Sequence, residues 1–294
     1  MSLSSRRGPE DTVEICPGKV IARRNRSLTR IAQRFGFLGD RPMRWAWSKT
    51  VNFGDWVGPY LYVQRTGRLP VFCNTLENGS HPVNFTVGSI LHKVQHDNQA
   101  IVWGSGVMQR DARFARPRDI RAVRGPLTRA RCLELGYDCP DVFGDPAILL
   151  PDHIAMSAPA TGKVGLIPHL DHHAEAERLF GQRDDVTLID VRRSVPEVVA
   201  DIQSCAFLLS SSLHGLIVSH AFDRPCCFVA FSKPLVGDGT KFDDYYLSGG
   251  ITDKVQARRL SGEESHETLV QAATEAAMPD LASLRDGLRE SCPF

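Results

Sequence analysis

Residues 206–222 constrain the fold more than any other stretch of this 294-residue chain, reading Ala-Phe-Leu-Leu-Ser-Ser-Ser-Leu-His-Gly-Leu-Ile-Val-Ser-His-Ala-Phe. Ala206 to Leu209 is a short apolar run, the pattern of a strand buried in a parallel sheet. Ser210, Ser211 and Ser212 interrupt it. Leu213, Leu216, Ile217 and Phe222 then recur at roughly helical spacing. His214 is therefore predicted where a strand ends and a helix begins. In open α/β sheets that crevice, outside the carboxyl ends of the strands, is where ligands bind. Helix N-terminal N–H groups suit an anion, and an imidazole beside them can move a proton.

Strand and helix patterns alternate along the rest of the chain. A helix is predicted from Trp56 to Arg65, stopped by Gly67, and another from Pro126 to Leu135, stopped by Gly136. Strands are predicted at 44–51, 70–73, 100–104, 120–123, 163–167, 186–190 and 226–231. Helices are predicted at 172–180 and 195–204, and two more within 262–290, one of which is expected to pack back on the first domain. Residues 151–162, rich in Pro, Ser, Ala and Thr, read as a linker. The expected fold class is α/β, with two Rossmann-like domains facing across a cleft. Residues 1–18 read as a flexible tail, 19–155 as the N-terminal domain and 156–294 as the C-terminal domain with its helices.

Formal net charge is only +1, which gives no bias toward nucleic acid. The charge is uneven, however. Residues 19–49 hold nine Lys or Arg and one acid, Asp40. Arg26, Arg30 and Arg34 share one helical face, with Leu28, Ile31 and Phe35 on another. Such a basic amphipathic segment either lies on an anionic membrane or covers a flank of the domain as a solvated helix. No apolar leader or bilayer-length apolar run is present, so a cytoplasmic location is expected, with the inner membrane face as an extension of it. The eight cysteines form no CxxC pair and read as reduced thiols. The chain also lacks a dinucleotide fingerprint, a GxxxxGK[ST] loop and a GxSxG elbow.

Several motifs follow one another in a fixed order. They are Asn52-Phe-Gly-Asp55, Gly104-Ser-Gly106, Arg124-Gly-Pro-Leu-Thr128, Gly144-Asp-Pro-Ala147, Ile167-Pro-His169, Ser210 to Ala221 with Arg224-Pro225, and Lys241-Phe-Asp-Asp-Tyr-Tyr246. Over residues 50–250 the set resembles the polysaccharide pyruvyltransferases, most of all the branch that places a pyruvate ketal on a sugar of a bacterial exopolysaccharide. The resemblance implies a glycosyltransferase-B-like architecture, with the acceptor on the first domain and the donor on the second. It implies phosphoenolpyruvate as donor, a lipid-linked oligosaccharide as acceptor, and no cofactor. Many members carry an arginine two residues before the histidine; here that position is Ser212. The departure removes an obvious bidentate partner for phosphate or carboxylate. A nucleotide-sugar glycosyltransferase on the same plan, and a non-catalytic glycan-binding member, stay open.

The reaction so implied needs a general acid, cations for the donor and a group to take a hydroxyl proton. His214 is the expected acid. His169, at the predicted end of strand 163–167, is expected to bind phosphate or act as base. The run His169-Leu-Asp-His-His173 also has metal-ligand residue types, but its spacing reads better as a polar turn, and no metal is expected. Asp55 is expected as the base and Asn52 as a substrate contact, with helix capping the alternative for both. Arg124 either reaches a substrate anion or makes a surface ion pair. Lys241 is expected to meet phosphate, and Tyr245 to bind substrate or simply pack. Ser210, Ser211, Ser212 and Gly215 complete the expected substrate contacts through hydroxyls and the helix N-terminus. Asp145, before a proline, reads as structural.

Overall fold

A computed structural model describes residues 52–68, 70, 82–97, 99–159 and 161–294 in full, and the backbone of four strands at 12–16, 19–22, 44–45 and 71–72. Two of those strands, β1 (Thr12–Cys16) and β2 (Lys19–Ala22), pair as an antiparallel hairpin. Part of the stretch read as a tail is thus a strand paired with the next. The expected basic helix around Arg26, Arg30 and Arg34 lies outside the described residues.

The fold is α/β, with two five-stranded sheets in which all neighbouring strands run parallel. The first contains β3 (Arg44–Trp45), β4 (Val71–Phe72), β5 (Val83–Phe85), β6 (Ala100–Trp103) and β7 (Asp119–Ala122). Helix α1 (Phe53–Thr66) follows β3, and α2 (Pro126–Glu134) follows β7. A 3-10 segment, Pro146–Asp152, leads toward the second sheet and takes up the start of the expected linker. That sheet contains β8 (Thr161–Ile167), β9 (Val186–Leu188), β10 (Cys205–Ser210), β11 (Cys226–Ala230) and β12 (Arg258–Arg259). Its helices are α3 (His173–Phe180), α4 (Val195–Ser204), α5 (Leu213–Ala221), α6 (Thr240–Ser248), α7 (His266–Thr274) and α8 (Ala282–Ser291). Strands β5 and β12 and helix α6 were not read from the sequence. The strands are too short, or too polar on one side, to show a period.

The strand orders are β4-β3-β5-β6-β7 and β12-β11-β10-β8-β9. In each sheet the first strand is flanked by the second and the third. The chain therefore winds outward in opposite directions from the gap beside that first strand. Such a switch point leaves a crevice at the carboxyl ends, where connections depart to opposite sides. In the second sheet the gap lies between β8 and β10, which pair from Cys205 to Ser210, with Ser210 opposite Ile167. His169 and the Ser210–His214 turn thus leave the sheet side by side.

Local chemistry sets the helix ends at this site. Asn52 caps α1 by accepting from Gly54 N at 3.1 Å, and Gly67, in the left-handed region at φ 68°, closes it. Ser212 caps α5, and Pro126 occupies the first turn of α2. One hydrophobic cluster is shared by both sheets' helices, joining Phe53, Trp56 and Leu61 to Val198, Leu216 and Ile217. The last helix packs on the first half: Trp103 Nε1 donates to Leu288 O at 3.0 Å, and Phe294 stands edge-on to Tyr62 and Trp103. Among the described residues, no helix is long and apolar enough to cross a membrane.

Candidate active site

His214 lies one residue inside α5 and is 9% exposed. Its surroundings come from the other half of the chain. Its Nε2 is 3.7 Å from Asp145 Oδ2, an ion-pair distance too long for a hydrogen bond. Its Nδ1 edge faces Gly54, where a Cβ would overlap the ring, and its Cε1 faces Gly88. Asp145 is fully buried. Its Oδ1 accepts from Ala147 N at 3.0 Å, and Oδ2 from Gly88 N at 3.4 Å. The structural role expected of Asp145 from its place before a proline takes the form of a cap on Ala147; neither that cap nor the contact with His214 was read from the sequence. The Gly144-Asp-Pro-Ala147 motif was the available signal, but the backbone preference of a residue before proline accounted for it without a distant partner.

His169 caps the short turn Leu170–His172 by accepting from Asp171 N through Nδ1 at 3.2 Å. The neutral ring therefore carries its proton on Nε2, an arrangement suited to donating to an anion rather than acting as base at that atom. Burial, then the positive charge of Lys241, pulls its pKa down to about 4. Lys241 is 8% exposed, and among the described residues no carboxylate pairs with it. Its amine lies over the Phe242 ring at 5.1 Å. Burial, reinforced by the Arg124 charge, lowers its pKa to about 8. A buried lysine without a counter-ion is placed to take an anion. A cavity of about 500 Å³ opens beside it, lined also by His172, Phe228, Phe231, Lys233 and Leu235.

The serine run spends its hydroxyls on the protein. Ser210 Oγ lies 3.0 Å from Ile167 O and 2.9 Å from Ser212 O, and it accepts from Ser212 N at 3.0 Å. Ser211 Oγ accepts from His169 N at 3.0 Å and contacts His172 Nδ1 at 2.8 Å. Ser212 Oγ accepts from Gly215 N at 3.4 Å. Gly215 lets α5 approach the strand, since a Cβ there would overlap Ser210 Oγ. These four residues, expected to touch substrate, build the turn that presents His214. The neighbouring histidines are also engaged: His172 Nε2 donates to Lys233 O at 2.7 Å, and His173 Nε2 meets Arg192 at 2.9 Å.

Arg124 corrects both readings offered for it. It is fully buried, and so is its partner Asp244 on α6. Its Nε donates to Asp244 Oδ2 at 3.1 Å, its Nη1 to Ser89 Oγ at 2.5 Å, and its Nη2 to Val107 O at 2.7 Å. With each of its three nitrogens bonded to protein and no exposed surface, the guanidinium ties the halves together. Tyr245, on the same helix, is 1% exposed, and its hydroxyl is 2.9 Å from His220 Nδ1. It packs instead of facing substrate. Asn52 caps α1, and Asp55 is half-buried in the first turn of that helix, beside the Gly54 that faces His214.

The family model for polysaccharide pyruvyl transferase matches residues 89–233, which include Arg124, Asp145, His169 and His214. The succinoglycan biosynthesis protein ExoV of Rhizobium meliloti (strain 1021) is 28% identical over 248 residues, covering 79% of this chain and 72% of that protein. An uncharacterised protein of Acanthamoeba polyphaga mimivirus is 28% identical over 211 residues, covering 69% of this chain and 72% of that protein. No solved structure matches. These matches support a place for the chain in the polysaccharide pyruvyltransferase family, and with it among the transferases.

Proposed function

We propose that the protein transfers the enolpyruvyl group of phosphoenolpyruvate onto two hydroxyls of one sugar in an exopolysaccharide repeat unit, forming a cyclic ketal and releasing phosphate. The observation that carries this reading is His214 held at the switch point of the second sheet, against Asp145 and Gly54 of the first half, inside the segment matched by the family. We read the two sheets as two Rossmann-like domains of a glycosyltransferase-B-like arrangement, the first receiving acceptor and the second donor. The acceptor is a lipid-linked oligosaccharide, and the basic segment 19–49 rests on the anionic inner membrane face. Flotation with anionic vesicles, comparing wild type and an Arg26, Arg30, Arg34 triple-alanine variant, tests that contact.

In the reaction, His214 gives a proton to the donor's methylene carbon as its π electrons form the new C–H bond. The cation left at C2 accepts the oxygen of a first sugar hydroxyl, whose proton returns to base. The C2–O bond to phosphate then breaks with its electron pair. The second hydroxyl closes the ring at C2, and its proton leaves with phosphate. Lys241 and the Nε2–H of His169 bind the donor's anionic groups, Lys241 taking the place of the arginine that Ser212 replaces. Asp55 takes the first hydroxyl proton. No cofactor is required by these steps.

Thermal shift against phosphoenolpyruvate, nucleoside diphosphates and nucleotide sugars tests the donor. Stabilisation by phosphoenolpyruvate supports the reading. Stabilisation by a nucleotide sugar alone moves the protein to the glycosyltransferases.

A further inference from the structure

We infer that Asp145 is the positioning residue for His214, holding its Nε2–H edge so that Nδ1 carries the proton that is transferred. This inference rests on the pyruvyl-transfer reading. His214 Nε2 is buried and has no hydrogen-bond partner, so it is closed to substrate. Asp145 is also buried, and among the described residues no lysine or arginine pairs with it. A buried carboxylate is costly without a positive partner, and His214 is the group placed to supply one. The 3.7 Å gap is longer than a hydrogen bond, as is common before substrate tightens a catalytic site. With Nε2–H directed at Asp145, the neutral ring has its lone pair on Nδ1, and the protonated ring has its transferable proton there.

The pairing also explains why both halves are needed. Asp145 follows the first sheet and is fixed within that half by Ala147 N and Gly88 N, while His214 follows the second sheet. The acid is complete only when the two halves meet.

Two measurements test this. Asp145→Asn keeps an oxygen for Ala147 N while removing the charge. The inference predicts a kcat lower by on the order of 10²- to 10⁴-fold, with KM for phosphoenolpyruvate unchanged and the fold retained, although the amide gives up the acceptor of Gly88 N. Nitrogen-15 NMR of the wild-type protein at alkaline pH reads the tautomer without any variant; protonated Nε2 is predicted. A wild-type kcat in Asp145→Asn beside an inactive His214→Ala, a KM that rises instead of kcat falling, or a neutral ring protonated on Nδ1 overturns the inference and leaves the reading standing. An active His214→Ala overturns the reading itself.

Discussion

The carboxylate of Asp244 pins Arg124 and the start of α2 in one contact. Oδ2 receives Arg124 Nε at 3.1 Å and Thr128 Oγ1 at 2.6 Å, while Oδ1 receives Leu127 N at 2.8 Å and Thr128 N at 3.0 Å. The two motifs that carry these residues are therefore the two sides of one joint. Gly125 is part of it, since a Cβ there would overlap the Asp244 carbonyl oxygen. A negative group at the first turn of α2 also complements the helix dipole. Asp244→Ala leaves Arg124 as an uncompensated buried charge, and a loss of about 3–5 kcal/mol is expected. Urea denaturation measures it. A loss within the scatter of surface substitutions would mean that the joint contributes little to stability.

The depressed pKa of Lys241 sets a pH limit on donor binding. Its amine is charged below about 8 and loses its proton above that. Affinity for phosphoenolpyruvate should therefore hold between pH 6.5 and 7.5 and fall as pH rises past about 8. Titration calorimetry across this range measures it. Lys241→Met should abolish the dependence and most of the affinity, while folding normally. Flat affinity up to pH 10 in the wild type would remove Lys241 from the donor site.

Acid should destabilise the fold through His169 and His220. Burial lowers both to about 4 from an ordinary 6.5. The unfolded chain therefore binds protons first, and stability is lost as pH falls below 6.5 toward 4. Each residue contributes about 2 kcal/mol of that loss between pH 7 and pH 5. His220 is the cleaner test because it lies away from the proposed chemistry, stacked on Tyr245 at 5.9 Å between ring centres. His220→Phe should flatten the stability profile over this range in urea unfolding at successive pH values. An unchanged slope would mean the burial of His220 costs less than its environment implies.

Gly54 leaves room for the His214 ring, and Gly54→Ala should displace it. The expected result is a turnover loss on the order of 10²-fold with a folded protein, since misplacement of about 1 Å can cost that much. Steady-state kinetics and circular dichroism together measure it. Full activity would show that the ring is not held where catalysis needs it.

The position of His214 was legible because strand and helix patterns meet beside it, and parallel sheets place such junctions at the carboxyl edge. The helix end at Gly67 was legible through local chemistry. Contacts between elements were not. Arg124 showed a charge at a strand end but gave no sign of Asp244, which lies 120 positions away. Asp145 satisfied a local rule by standing before Pro146, and that hid its partner His214. The serine run promised hydroxyls for a ligand, yet a tight strand-to-helix turn has backbone groups to satisfy first, and it used them.

The account's central claim is tested most directly by running the reaction in deuterium oxide. Phosphoenolpyruvate and a panel of p-nitrophenyl hexosides serve as substrates, and NMR reads the product. The predicted result is a ketal methyl carrying one solvent deuteron, formed together with phosphate by the wild type and not by His214→Ala. Ketal formation by His214→Ala at the wild-type rate would contradict the account. So would sugar transfer from a nucleotide sugar with phosphoenolpyruvate left intact.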